Sequence, residues 1–412
     1  MDNISELLRS LPKMKAGQDL IAEMTVLPEY SSSICTEHEA VRLIALSDIY
    51  KIYLPSQMSV EIYSKLYLAL LRSLQKKCSK AAVHQQRENF KAIRQHEYNG
   101  ILGGSDSFTI IGTSGIGKSS AINRAIDLIT AGGIIETKDP YRKVIPCVVI
   151  QCPFDASVKG LLLEVLRKVD EYLNSNYYEN ALRVRATTDM LIGSVSQVAL
   201  NHIGLLVVDE IQHVVNNKNG KNLIGSLTQL INNSGISICM IGTPESSAFF
   251  EQAMQLARRS IGLRYNAIEC NAYFRDLCRT LFSYQYVRKE SVLTDSIIEW
   301  LYEHSSGVIS VVVSLVHDAQ EIAILNGSEV LSIETLNAAY QQRLSMLHGF
   351  IEPNIKKANY ASQHRIEAVY AETDAPFEDS QLIFHLVTQA KHSQLDIVTL
   401  MREHFHVSEV AI

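Results

Sequence analysis

The sequence predicts an α/β fold in which a parallel sheet is sandwiched by helices, with N-terminal helices before it and a C-terminal all-helical lid after it. Two observations carry this reading. Between residues 107 and 245 short apolar runs alternate with helical patterns, and from Ala272 onward the pattern turns wholly helical. Strands alternating with helices, with polar residues where the strands end, imply an open sheet covered on both faces. A chain of 412 residues exceeds what one core usually holds. The expected divisions are an N-terminal arm and helical region at 1–100, an α/β core at 101–271, a helical lid at 272–352, and a linker with a C-terminal tail at 353–412.

Each element follows from local pattern. Residues 1–30 read as a weakly ordered arm, because Pro12 and Pro28 interrupt any helix there. Val41, Leu43, Ile44, Leu46, Ile49 and Tyr50 give a helical apolar face that Pro55 ends. A second helix after Ser59 carries Ile62, Leu66, Leu70 and Leu74 at i, i+4 spacing. The basic stretch Lys76–Arg94 reads either as a solvated helical surface or as a face for an anionic partner. A strand from Ser107 to Ile111 leads into the loop GTSGIGKSS and a helix with Ile122, Ala125, Ile126 and Ile129, which Gly132 and Gly133 end. Pro146 opens a second strand, CVVIQC; helices follow at Lys159–Leu173 and, after a polar stretch, at Thr187–Ala199. The run IGLLVVDE is a buried parallel strand ending in acids, Leu223–Ile231 is helical, and SICMIGTPE is the next buried strand. Trp300, Leu301 and Val308–Ala323 read as core helices of the lid; residues 353–378 are polar and loop-like, and Leu382–Phe405 is amphipathic.

Composition bounds the function. Apolar residues make up 47% and charged residues 20%, as in ordinary globular chains. No apolar run approaches the ~18 residues of a membrane span, and the mixed-charge start MDNISELLRSLPKMK has no signal-like apolar stretch. A cytoplasmic location is therefore expected. The seven cysteines are scattered singly with no zinc-ligand spacing. A net charge of −6 does not point to a nucleic-acid protein, although a local basic stripe can act inside an acidic whole.

The chemistry concentrates in four places. Gly112, Thr113, Ser114, Gly115, Ile116, Gly117, Lys118, Ser119 and Ser120 form the glycine-rich phosphate loop G-x-x-x-x-G-K-[ST] between a predicted strand and a predicted helix. Glycines let successive N–H groups converge on phosphate oxygens, and the following helix adds its positive end. Lys118 reaches the β- and γ-phosphates of ATP as a point charge, and the Ser119 hydroxyl is a hard ligand for Mg2+. Four apolar residues then place Asp209 and Glu210 at a strand end, with Asp209 for the metal shell and Glu210 for polarising the attacking water. Thr243, after the strand SICM, is a candidate γ-phosphate sensor or an ordinary turn threonine. Arg258 and Arg259, in LARRS, are either surface arginines or the groups that reach a neighbouring subunit's γ-phosphate, and the sequence does not choose between the two residues.

Together the phosphate loop, DEIQH at 209–213, IGTPE, LARRS and the helical lid resemble AAA+ P-loop ATPases. More narrowly, Gln212 and His213 after the acids, the run CPFDASVKGLLLEVL and the glycine-led lid helix SSGVISVVVSLVHDAQEIAI are similar to the TnsC/TniB-type regulators of Tn7-like DNA transposition. The resemblance spans about residues 35–357. It implies an ATPase that assembles with ATP into rings or helical filaments on duplex DNA, and that links a TniQ/TnsD-type target-selection adaptor to transposase subunits. It implies DNA-phosphate contacts at Lys159 and, with weaker placement, at Arg183, Arg185, Thr187 and Thr188. The lysine could instead be a surface residue of a helix N-terminus, an unfavourable place for a cation unless an anion lies near. One departure from the AAA+ pattern is the lid segment Gly307-Val308-Ile309-Ser310-Val311, which lacks the arginine many relatives carry there and so gives more weight to an arginine from a neighbour.

Other readings stay open from the residues alone. One is a different AAA+ DNA machine, of the helicase-loader or initiator type. Another is a nucleotide-switched signalling or scaffold NTPase that never touches DNA. For residues 379–412, a partner-docking tail and a helix folded back on the lid are both compatible with the spacing of Leu382, Leu386, Leu395 and Leu400.

Overall fold

A computed structural model describes residues 7–79, 81–82, 84–85, 107–130, 133–138, 141–215, 217, 220–247 and 262–344. The chain divides into two units, Met1–His348 and Gly349–Ile412. The second unit, and with it the linker and tail read at 353–412, lies outside the described residues.

In chain order the first unit begins with helices α1 (Gly17–Met24), α2 (Glu39–Leu46) and α3 (Gln57–Lys77). Next come β1 (Phe108–Gly112), α4 (Lys118–Thr130), β2 (Ile135–Lys138), β3 (Tyr141–Gln151), α5 (Val158–Leu173), α6 (Tyr177–Arg183), α7 (Thr188–His202) and β4 (Ile203–Asp209). These are followed by α8 (Gly220–Ser234), β5 (Ser237–Gly242), β6 (Leu263–Tyr265), α9 (Ala272–Ser283), α10 (Asp295–Ser305), α11 (Ile309–Leu325) and α12 (Ile333–Arg343).

The six strands form one sheet in the order β2-β3-β4-β5-β1-β6, parallel throughout except for the antiparallel β2–β3 pair at one edge. Period-2 alternation sorts the strand residues to two faces. Val148, Ile150, Leu206, Val208, Ile238 and Met240 pack with the apolar stripes of α5, α7 and α8. Cys147, Leu205, Val207, Cys239, Phe108 and Ile110 pack with α1, α3 and α4 on the other face. The architecture is the expected α/β sandwich, a mostly parallel sheet between helices with further helices on its C-terminal side.

β3 starts at Tyr141, upstream of the Pro146 at which the sequence pattern opens it. Proline lacks a donor, so it is tolerated only where a neighbour asks for none. Pairing with β2 ends at Ile135–Val144, just short of Pro146. On the other side a Cβ at Gly204 would lie 2.5 Å from the Pro146 carbonyl oxygen and 2.4 Å from Leu70 Cδ1, so only glycine fits there.

The N-terminal segment is not the weakly ordered arm expected from Pro12 and Pro28. Leu7, Leu11, Leu20 and Met24 are buried in the core shared with α3 and α4, and Tyr67 donates its hydroxyl to the Pro12 carbonyl at 2.8 Å. The prolines lie outside α1 and leave its apolar face intact. The next stretch turns to the lid instead. Tyr284 donates to the Pro28 carbonyl and Tyr30 to the Gln285 carbonyl. The Arg42 guanidinium, 1% exposed, forms a two-pronged pair with Glu329 at 2.7 Å for each contact and also donates to the Tyr286 carbonyl.

Part of the basic stretch after Lys76 also has another use. Lys77 is 3% exposed and donates to the Ala199 and Leu200 carbonyls at the C-terminal end of α7. Burial pushes its ammonium down to about 7, while the two carbonyls and the negative end of the helix favour the charge. Lys80, Arg87, Lys91 and Arg94 lie outside the described residues.

Candidate active site

The phosphate loop connects β1 to α4, as its motif requires. Gly115 and Gly117 adopt φ of +80° and +91°, a region closed to most side chains. A Cβ on Gly112 would sit 2.7 Å from the Tyr265 carbonyl oxygen of β6. Ile116 is 1% exposed and plugs the loop into the body below, so it shapes the loop and offers a ligand only its backbone. Lys118 Nζ donates to the Gly112 and Thr113 carbonyls at 2.6 and 2.8 Å, which lays its side chain along the loop. Burial lowers its pKa, and the nearby Asp209, Glu210 and Glu245 carboxylates oppose that.

Asp209 closes β4, and Ser119 Oγ lies 3.3 Å from its Oδ2. The sheet order places β5 between β1 and β4, so the acids reach the loop across the end of β5 rather than from a neighbouring strand. Thr243 stands at that end and lines the same cleft, between the acids and the loop. The backbone turns sharply at Glu210 (φ 57°, ψ 35°), and its N–H donates to Asp209 Oδ1 at 2.8 Å. Together these residues bound a cleft of about 250 Å3.

Three residues enter the site that residue patterns did not assign to it. Gln212 donates from Nε2 to Glu210 Oε2. Glu245 accepts from the Thr243 hydroxyl, and that bond, with its own backbone and the Lys118 charge, lowers its carboxyl pKa. Ser310, the second residue of α11, donates its N–H to the Gly115 carbonyl at 3.0 Å and lines the cleft. The lid segment without an arginine therefore touches the phosphate loop through a serine and a helix start. The signal for Ser310 was present as the absence of a long cation; its contact is tertiary and has no sequence period.

Beside the cleft, a second cavity of about 230 Å3 lies between the loop, the N-terminal segment and the lid, walled by Tyr50, Tyr53, Met58, Ile116, Tyr273 and Ile309. A third, of about 400 Å3, is bounded by Phe154, His213, Val215 and Asn217 and shares Gln212 and Thr243 with the cleft.

The donor set fits a nucleotide with a divalent cation. Glycines clear space where side chains would intrude, a 13-residue helix opens at Lys118, and a hydroxyl and a carboxylate, both hard oxygen ligands, converge. The residues read for DNA contact are elsewhere. Lys159 is exposed in the first turn of α5, Arg183 is exposed at the end of α6 and pairs with Glu179, and Arg185 is exposed at the corner before α7. Thr187 caps α7 by accepting from the Met190 N–H, and Thr188 opens that helix. Arg258 and Arg259 lie outside the described residues.

The family model described as bacterial TniB protein matches residues 103–264. Over these residues the chain is similar to bacterial TniB proteins. The TniB match runs from just before β1 to β6 and takes in the phosphate loop, both acids and Thr243. The TniB-type resemblance carried by DEIQH and the CP…K run is thereby borne out over residues 103–264. No curated protein matches the chain in sequence. Among solved structures, it is similar to the Orc1 protein of Aeropyrum pernix in complex with DNA, at 15% identity, with 67% of this chain and 69% of that one covered and a TM-score of 0.43. It is similar to a Walker-type ATPase of Pyrococcus abyssi at 12% identity, with 75% and 88% covered and a TM-score of 0.39. Domain III of the Thermotoga maritima replication initiation protein DnaA is 11% identical, with 63% and 91% covered and a TM-score of 0.36. Among the described residues no helix is long and apolar enough to cross a membrane.

Proposed function

We propose that the chain is an ATPase that binds ATP and Mg2+ in this cleft, assembles on duplex DNA, and links a TniQ/TnsD-type target-selection adaptor to transposase in Tn7-like transposition. The observation that carries the nucleotide reading is the approach of Ser119 Oγ to Asp209 Oδ2 at 3.3 Å, across ninety positions of sequence. The TniB match supports the transposition context.

In this reading the loop N–H groups and Lys118 hold the phosphates, and the walls of the 230 Å3 cavity enclose the apolar base. Ser119 and Asp209 would hold the metal, which when bound neutralises charge that develops on the phosphate oxygens. Glu210 accepts a proton from the attacking water, Thr243 orients the terminal phosphate, and Glu245 holds the Thr243 hydroxyl in place. Lys159, Arg183, Arg185, Thr187 and Thr188 contribute a sequence-independent DNA face. Arg258 or Arg259 completes a neighbour's site, and residues 379–412 dock the transposase.

The test is electron microscopy and ATPase assay of the parent and E210Q with and without duplex DNA. The reading expects ATP-dependent assembly on DNA, with E210Q assembling but not turning over. Parent-rate hydrolysis by E210Q would remove Glu210 from its role. Failure of duplex DNA to bind or to stimulate either protein would favour a nucleotide switch that does not use DNA.

A further inference from the structure

We propose that His317, Asp318 and Glu321 bind a divalent transition-metal ion, Zn2+ or one of like chemistry, on the face of the lid that meets the N-terminal segment at Tyr50. The helix brings the three side chains together. His317 and Glu321 are four residues apart in α11, so they lie one above the other on the same face, and Asp318 adjoins them. One ligand atom from each of the three lies within 4.8 Å of the other two. An imidazole nitrogen with two carboxylate oxygens is a donor set that suits Zn2+. Mg2+ suits it poorly, because that ion takes oxygen ligands and gives up water reluctantly.

The spacing and the charge both favour a cation here. His317 Nδ1 and Asp318 Oδ1 are 2.8 Å apart. Two ligand atoms ~2.0–2.1 Å from Zn2+ in tetrahedral directions stand roughly 3.3 Å apart. An ion that replaces the proton between them therefore needs the pair to open by about half an ångström, within reach of the side-chain torsions. The carboxylates are also short of partners. The Asp318 side chain is 17% exposed and that of Glu321 32%. Among the described residues their four oxygens have that one hydrogen bond and one ion pair, Arg343 Nη2 to Glu321 Oε1 at 3.8 Å. Partly desolvated carboxylates with so few donors gain from a neutralising ligand.

Tyr50 closes the site from the N-terminal segment. Its ring centroid lies 4.6 Å from that of His317, with the planes tilted by 40°. Burial raises the phenol pKa, and the Asp318 and Glu321 charges add to that, so the phenol lies near both carboxylates. An ion would neutralise the charge that Tyr50 meets there. The position also bears on the nucleotide region. Residues 310, 314, 317 and 321 follow at steps of four, three and four, which is one helix face. Ser310, Ser314 and Tyr50 all line the 230 Å3 cavity beside the phosphate loop. The ion would thus sit behind the Tyr50 wall of that cavity, about two helical turns from Ser310.

The test is calorimetric titration of the nucleotide-free full chain with Zn2+, and separately with Mg2+, comparing the parent with H317A and E321Q. All carry C270S, which removes the exposed thiol. The parent is expected to bind one Zn2+ that H317A loses, and equimolar Mg2+ should not displace it. H317A should raise the Kd of that ion roughly 100-fold or more and E321Q at least 10-fold, since even an outer partner of a ligand is worth roughly 10- to 100-fold. Affinity should fall in acid, because protons compete for the nitrogen and the oxygens. Zn2+ should raise the melting temperature of the parent and leave that of H317A unchanged. E321Q keeps the Tyr50–His317 stack and serves if H317A does not fold. Equal Zn2+ Kd and stoichiometry in all three proteins would overturn the inference, as would displacement by equimolar Mg2+. Loss of the ion in D209N but not in H317A or E321Q would place it in the nucleotide cleft and overturn the inference as well.

Discussion

Replacing Arg42 by methionine should loosen the lid far more than the loss of a surface charge would. Its guanidinium is 1% exposed and makes three hydrogen bonds, two at 2.7 Å to Glu329 and one at 2.9 Å to the Tyr286 carbonyl. Removing one partner of a buried pair strands the other and costs ~3–5 kcal/mol. The Glu329 side chain is 15% exposed and also accepts the Arg288 N–H. Water and that N–H take up part of the stranded charge, so the low end, ~3 kcal/mol, is expected. The single tryptophan, Trp300, lies in α10 of the lid and reports on it directly. In urea, the Trp300 fluorescence midpoint of R42M should fall well below the parent's, and the far-ultraviolet signal of the sandwich should fall less. The pair also has a pH signature. The hydrogen bond from Arg42 holds the Glu329 carboxyl below its usual range. Its contribution is therefore present above the unfolded carboxyl value and is lost as pH falls through the lower folded value. R42M should lose that acid-side dependence, and R42M/E329Q, which strands no charge, should regain part of the lost stability. A single mutant within ~1 kcal/mol of the parent, or a double mutant as unstable as the two singles added together, would refute the argument.

Four further outcomes follow from the site and its supports. K118A should lose ATP binding, read as a rise of roughly 100-fold or more in the Kd of a fluorescent nucleotide, because no other cation among the described residues lines the cleft. G115A should weaken ATP binding and shift the Trp300 signal, since its Cβ would meet Ser310 Oγ at 2.3 Å and its φ is +80°. By contrast G225A, within α8 with nothing near its Cβ, should gain ~0.5–1 kcal/mol. Lys77 has a lowered folded pKa, so the unfolded chain binds the extra proton between about 7 and its ordinary value. Parent stability in urea should therefore rise with pH above 7, and K77M should show no such slope.

Much of the sandwich and the cleft could be read locally. The phosphate loop and the run ending in Asp209 and Glu210 carry their chemistry in contiguous residues, and the parallel strands are apolar runs that need no partner to be recognised. The helix read at Thr187–Ala199 is present as Thr188–His202, with Thr187 serving as its cap rather than its first residue. What escaped depends on tertiary pairing. β6 is three residues long and exists because β1 offers an open edge; in the sequence it lies behind the arginines of LARRS. The Ile135–Lys138 hairpin arm is hidden by the glycines before it and by Pro146 after it. α6 reads as a polar stretch because it buries no residue. Lys77 resembles its solvated neighbours until α7 brings carbonyls to it. Gln212, Glu245 and Ser310 reach the cleft by a turn, a hydroxyl and a packed helix start, none of which has a period.

The segment from Pro28 to Leu54 leaves the body of the sandwich, fastens to the lid through Tyr30, Arg42 and the Leu54 carbonyl, which accepts from Tyr273 of α9, and rejoins the N-terminal segment where Tyr53 exchanges backbone hydrogen bonds with Val26. The lid is thus tethered from two directions in sequence, by its own chain after β6 and by this strap, which touches it at several separate points. A lid joined only by its own chain could drift from the sandwich at the cost of few contacts, whereas here any such drift must also break the strap. The strap therefore couples the placement of Ser310 at Gly115 to the packing of the N-terminal segment.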